Sequence, residues 1–155
     1  MKIKTKFLGE VDINDKHVIT FPDGILGFED SRKFALLNIP GNEEFKVLQD
    51  IDKDYVSFIV AEPWVFYKDY EIEIPDEELL KIEIREKEQL AVVGIVTLAG
   101  DFYKSTINLL APIVMNTVSK LGKQQVLNDV LYSTKHPLFE KKEVDTGVDT
   151  KQKNQ

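Results

Sequence analysis

The sequence predicts a mainly β chain: a single-domain, antiparallel, barrel-like fold with one or two short helices. Three observations lead there. Short β-branched and aromatic runs follow one another at close spacing between turn residues, as in a sandwich or barrel. The most apolar run, Leu90–Leu98, reads as a strand buried on both faces. The length of 155 residues with 43% apolar content suits one ordinary core and is too short for two.

Taken in order, Ile3, Thr5 and Phe7 alternate with Lys2, Lys4 and Lys6, which predicts a first strand with one buried face. The runs His17–Phe21, Phe34–Ile39, Phe45–Ile51, Tyr55–Ala61 and Tyr70–Ile74 predict further short strands. Pro75–Lys81 is the one stretch that reads as helix: a proline at the first turn, then Asp76, Glu77 and Glu78 at the positive N-terminal end. After Leu90–Leu98, Ala99-Gly100-Asp101 turns the chain and Ser105–Ala111 is expected to return antiparallel. Pro112 opposes a helix through Leu109–Val118, where Ile113, Val114, Thr117 and Val118 favour strand. The expected domain spans residues 1–139. The tail, residues 140–155, is expected to be disordered, because Val144 and Val148 are its only large apolar side chains.

Charge and composition narrow the function. Twenty basic residues stand against 27 acidic ones, a net charge of −7. That sign opposes direct binding to nucleic-acid phosphates or anionic lipid and suits a basic protein partner. The absence of cysteine removes disulfides, thiolate metal sites and cysteine nucleophiles, and fits a reducing compartment. The N-terminal lysines precede no apolar run, so no signal peptide is read, and Ser105–Ser119 is too short to span a membrane. The expected location is the cytoplasm.

No catalytic motif emerges. His17 and His136 stand in neither a His-x-His nor a His-Glu-x-x-His pattern. Gly122-Lys123-Gln124 lacks the upstream glycine of a phosphate loop, with Thr117 in its place, and no Ser or Thr follows the lysine. No serine lies in a Gly-x-Ser-x-Gly elbow, and Ser133 is too near His136 along a strand to pair with it as nucleophile and base. The acidic pairs Glu77/Glu78 and Glu83/Glu86 lie in the most hydrophilic stretch, where solvated carboxylates are the rule. The expectation is a non-enzyme with no metal and no cofactor.

Three features are suited to binding. In Phe21-Pro22-Asp23-Gly24-Ile25-Leu26-Gly27-Phe28-Glu29, turn formers stiffen a loop whose Ile25, Leu26 and Phe28 either plug one end of the barrel or present a contact surface. In Pro63–Tyr70, the rings of Trp64, Phe66, Tyr67 and Tyr70 suit core packing first and base stacking last, since stacking platforms sit in basic grooves. From Glu71 to Glu88, eight acids (71, 73, 76, 77, 78, 83, 86, 88) face three bases (81, 85, 87), a local balance of −5. Such a run is usually a solvated face, and it also steers basic partners.

Together these segments resemble the FliW family of flagellar assembly factors. The resemblance is carried by Phe21–Glu29 and by Thr106-Ile107-Asn108-Leu109-Leu110-Ala111-Pro112-Ile113-Val114-Met115-Asn116. Phe66–Tyr70, Gly122-Lys123-Gln124 and His136-Pro137-Leu138 support it, with Met115 standing where Ile or Val is expected. The resemblance implies a compact β fold without cofactor and two protein partners, the RNA-binding translational regulator CsrA and flagellin. In that family, binding to CsrA relieves its repression of flagellin translation, and flagellin captures the factor in turn. The expected partner-binding residues are Phe21, Pro22, Ile25, Leu26 and Phe28 in the loop, Glu71, Glu73, Asp76, Glu77 and Glu78 in the acidic segment, and Asn108 and Asn116. Neither nucleic acid nor membrane is expected to bind directly, and the free chain is expected to be a monomer. The competing reading is an RNA-binding barrel that acts on message through its aromatic cluster.

Overall fold

The computed structural model describes residues 1–139, and its architecture is mainly β, as the sequence predicts. The expected tail lies outside the described residues.

An N-terminal hairpin stands apart from the main sheet. Strands β1 (Lys2–Lys4) and β2 (Glu10–Asp12) pair antiparallel, setting Lys2 opposite Asp12 and Lys4 opposite Glu10. Ile3 is buried, but the strand does not run on to Phe7, which is exposed. Thr5 ends it: its Oγ1 donates to Gly9 O at 2.6 Å and accepts the Leu8 N–H, turning the chain early. The hairpin is tied down where Lys6 N–H donates to Gln49 Oε1 at 3.1 Å.

The main sheet is antiparallel along its path. It holds β3 (Val18–Thr20), β4 (Lys33–Ile39), β5 (Asn42–Asp50), β6 (Ser57–Ala61), β7 (Leu90–Thr97), β8 (Thr106–Ile107), β9 (Ile113–Asn116), β10 (Gly122–Gln124) and β11 (His136–Pro137). The path runs β10-β9-β7-β6-β5-β4-β3, with β8 branching from β7 and β11 pairing β8. The sheet curls until its ends approach: Thr20 N–H donates to Lys120 O at 2.9 Å, and Thr20 makes a parallel bridge to Leu121.

The central position of β7 explains its sequence. Val92, Val93, Gly94 and Val96 are buried, and β6, β8 and β9 all pair with the strand. A Cβ at Gly94 would stand 2.7 Å from the Ile107 side chain, so only glycine lets β8 approach. Inside the curl, Phe21, Phe34, Leu48, Val60, Val93 and Ile113 form the main core, with the Phe21 and Phe34 rings edge to face at 5.3 Å. A second cluster gathers Phe45, Tyr70, Val96, Ile107, Leu109 and Leu138, and a third Ile82, Ile84, Val92 and Val114.

Several expectations need correction. Tyr70–Ile74 joins no ladder. It is held extended by side chains instead: Tyr70 OH donates to Leu109 O at 2.7 Å, Trp64 Nε1 to Tyr70 O at 2.7 Å, and Glu71 N–H to the Tyr132 hydroxyl at 2.9 Å. Period-two burial of Tyr70, Ile72 and Ile74 is satisfied without strand pairing. The return after β7 pairs only at Thr106–Ile107, because Asn108 Oδ1 accepts the N–H groups of Leu110 and Ala111 and bends the chain. β9 stops at Asn116, leaving Thr117 and Val118 in an exposed turn. Among the described residues two α-helices form, α1 (Pro63–Phe66) and α2 (Asp76–Lys81), of which the sequence predicts only the second. Pro63 opens α1 at a position where its missing N–H costs nothing.

Candidate protein-binding surface

The stretch 71–81 leaves the sheet, runs extended and then forms α2. Glu71, Glu73, Asp76 and Glu77 are exposed there. Glu78 is not a free charge. It accepts from Lys123 Nζ and from Lys81 Nζ, the latter at 3.0 Å, and those hydrogen bonds hold its carboxyl below the usual range. Lys123 also donates to Gln125 Oε1 at 2.9 Å, so Glu78 pins α2 to β10. As a freely presented acid, Glu78 is therefore corrected to a structural residue.

Asn116 supports the same region from below. It is buried; its Nδ2 donates to Ile82 O at 2.9 Å, and its Oδ1 accepts the Val118 and Ser119 N–H groups. Asn108, half-buried, likewise spends its Oδ1 on the turn described above. Asn116 thus shapes the seat of α2 and offers no surface of its own.

The Phe21–Glu29 loop divides its side chains. Phe21 and Ile25 are buried in the main core, which corrects both as direct contact residues. Pro22 is exposed, Leu26 is 60% exposed and Phe28 is 42% exposed. The Phe28 ring lies edge-on to Phe58, centroids 5.1 Å apart. The loop is stiff because Phe28 N–H donates to Ile25 O at 2.6 Å and Gly24 sits at φ +69°, where a Cβ would lie 2.6 Å from Glu29 Cα. Gln124 anchors it, accepting from Leu26 N–H at 3.0 Å and donating to Ala111 O at 3.0 Å. Through Gln124 these two hydrogen bonds join the two segments that carry the family resemblance, a link no local pattern displays.

Sequence reasoning also missed a cleft of about 1200 Å³ between 72–87 and the curled sheet. Leu36, Val60, Ala91 and Val93 line it from the sheet, and Ile74, Leu79, Leu80 and Ile84 from the acidic segment. The alternation Ile72, Ile74, then Leu79, Leu80, Ile82, Ile84 within an acidic run was the available signal. The aromatic cluster is packed rather than displayed: Tyr70 is buried, and Trp64, Phe66 and Tyr67 are half-buried against the second cluster. Burial, followed by the neighbouring Tyr132 and Asp129, pushes the Tyr70 hydroxyl up.

His136 is half-buried and its pKa is lowered by that burial. Its Nε2 accepts the Ser133 N–H at 2.9 Å, between the rings of Tyr67 and Tyr132. Among the described residues, no cluster of three or more His, Asp or Glu is placed to hold a metal ion. No helix among them is long and apolar enough to cross a membrane.

The chain resembles known proteins along nearly its whole described length. The family model described as FliW protein matches residues 2–138. The flagellar assembly factor FliW of Clostridium botulinum (strain Langeland) is 37% identical over 139 residues, covering 90% of this chain and 97% of that protein. Those of Bacillus licheniformis and Bacillus subtilis (strain 168) are 41% and 37% identical over 138 residues, each covering 89% of this chain and 96% of the relative. A crystal structure of the flagellar assembly factor FliW superposes with a TM-score of 0.87 at 37% identity, covering 92% of this chain and 99% of that one.

Proposed function

The chain belongs to the FliW family of flagellar assembly factors, and from that membership we propose that it is a non-catalytic cytoplasmic regulator that acts by binding two proteins. It binds the translational regulator CsrA and lifts its repression of flagellin message. Flagellin binds it in turn and sets CsrA free.

The observation that supports this reading most directly is the presentation of Glu71, Glu73, Asp76 and Glu77 on one exposed segment, beside a cleft lined with apolar side chains. A protein that grips RNA must carry a basic surface, and a concentrated acidic face attracts it and speeds encounter. Leu26 and Phe28 supply a second, apolar contact on the stiff loop. Direct action on RNA is the weaker reading, because the rings it needs are engaged in packing and the neighbouring charge is negative.

Isothermal titration against purified CsrA, then flagellin, at moderate salt is the test. Tight binding of CsrA that flagellin abolishes is expected. A folded sample that gives no heat with either partner overturns the proposal.

A further inference from the structure

We propose that the cleft between α2 and the sheet is a slot in which a partner protein adds a short, uncharged, apolar strand to the free edge of β7 at Leu90–Val93. This inference rests on the reading of the chain as a protein-binding regulator and adds where, and in what conformation, a partner segment lies.

The edge is set by β7 and by the end of β6. Gln89 O accepts the Thr117 N–H at 2.8 Å and Ile95 O accepts the Asn108 N–H at 2.8 Å, so both carbonyls turn toward the β8–β9 side. Backbone groups alternate in direction along a strand. Ala91 and Val93 therefore point the same way, into their pairs with Met115 and Ile113. Leu90 and Val92 point the opposite way. On that side β6 pairs Ala61 with Gly94 and ends, since Pro63, the residue that would face Val92, has no N–H to give and opens α1. The Leu90 N–H donates to Lys87 O. Among the described residues, the Val92 N–H, the Val92 C=O and the Leu90 C=O have no partner. An incoming strand supplies one acceptor and two donors at this spacing, which is the basis of strand addition to a sheet edge.

The cleft opens onto this edge. Leu90, Ala91, Val92 and Val93 all line it. Successive side chains point to opposite faces, so a cleft that meets four residues in a row meets the strand from its side. Leu36 and Met115 border it on the main-core face, and Leu79 and Ile84 on the other. Both faces of an added strand therefore meet apolar side chains. Charges at the rim nearly cancel, four acids against Lys46, Arg85 and Lys87. The cleft thus offers little net attraction to a charged segment, and a charge turned onto either apolar face is costly. The occupant carries consecutive apolar residues, and its source is another protein. Residues 140–155 of this chain have Val144 and Val148 as their only large apolar side chains, and these are not adjacent. In a second copy the exposed pairs Phe102–Tyr103 and Val130–Leu131 are held in turns, capped by Asp101 and Asp129.

The probe is a short capped peptide with a central run of valines flanked by serine and glycine. It is compared with the same peptide N-methylated at each valine, which keeps the side chains and removes the donors. Hydrogen exchange at the Val92 amide of the full chain is the readout, with Ala91 and Val93, already paired with β9, as internal controls. Without peptide, Val92 is expected to exchange faster than both. The valine peptide is expected to slow Val92 about tenfold or more, and the N-methylated peptide to bind about tenfold more weakly or worse. Equal binding of the two peptides, no binding of the valine peptide, or binding that leaves Val92 exchange unchanged overturns the proposal. Protection of Val92 in the free chain that fades on dilution would put a second copy in the slot, and protection at every concentration would put this chain's own residues there. Either result overturns the proposed occupant. The natural partners separate the two readings. If CsrA or flagellin binds and neither it nor the peptide slows Val92, the slot falls and the protein-binding function stands. If the peptide slows Val92 while neither natural partner binds, the slot stands and those partners fall.

Discussion

Lys123 on β10 reaches Glu78 in the first turn of α2, across 45 residues of sequence, and both side chains are largely shielded from solvent. The acidic segment is thereby fastened to the sheet by its one neutralised carboxylate, while Glu71, Glu73, Asp76 and Glu77 stay exposed.

That fastening should depend on pH. A carboxyl held below its ordinary value of 4.5 binds its proton more weakly in the folded state than in the unfolded chain. Its stabilising contribution is complete above the unfolded value and is lost as pH falls through the folded one. Urea midpoints measured from pH 7 to pH 3 should fall in acid, and the Glu78 share of that fall should shrink in Lys123→Met, which starts from a lower midpoint at pH 7 and keeps only the Lys81 hydrogen bond.

The two glycines of the 21–29 loop should respond unequally to alanine. Gly27, at φ +83° with open space around it, pays only for backbone strain, about 1 kcal/mol. Gly24→Ala adds a Cβ collision with the backbone of Phe28 and Glu29, so its loss should exceed that of Gly27→Ala by a further 1 kcal/mol or more, roughly. Chemical denaturation of both variants gives the comparison.

Phe28→Ala should stay folded, losing about 1–2 kcal/mol for a ring that is only partly covered. Phe21→Ala empties the centre of the core and should lose about 3–5 kcal/mol. A folded Phe28→Ala protein that no longer gives heat with one partner would assign the loop to that partner.

How far the sequence carried this picture differs from element to element. Patterning located β4 to β6 from β-branched and aromatic runs and β7 from its continuous apolar run, because burial and ladder coincide there. It misread Tyr70–Ile74, where period-two alternation serves an extended segment held by the Tyr70 hydroxyl and the Trp64 indole. It could not divide the 21–29 loop into buried Ile25 and exposed Leu26, since adjacent residues in a tight turn point opposite ways for reasons of backbone geometry. Nor could it pair Glu78 with Lys123, a contact set by how the sheet curls.

Reversing charge at Glu73, Asp76 and Glu77 to lysine should leave stability nearly unchanged, because all three are exposed. Association with CsrA should slow by about tenfold or more at low salt, and its salt dependence should shrink. Stopped-flow association rates at two ionic strengths provide the measurement, and unaltered rates would remove the acidic segment from the proposed interface.

His136 should report a second, milder pH dependence. Burial lowers its pKa from 6.5, so the neutral ring is favoured in the fold, and its contribution is present above 6.5 and lost as pH falls through the lower folded value. Protonation removes the lone pair that accepts the Ser133 N–H. A pH series of amide spectra should show Ser133 shifting together with the His136 ring, and His136→Phe should abolish that coupled shift.

The meeting of the sheet's two ends carries a kinetic consequence. The Leu26 N–H finds its acceptor on Gln124 at a separation of 98 residues, beside the Thr20–Leu121 bridge. Closing so long a loop costs entropy before the contacts it brings together offset any of it, which slows β-rich topologies relative to helical ones. A chain still emerging from the ribosome has its 21–29 loop long before it has the strand that anchors it. Competence for a partner that reads this loop therefore arrives late, as a property of the finished chain, and a nascent or truncated copy is held out of competition by topology alone.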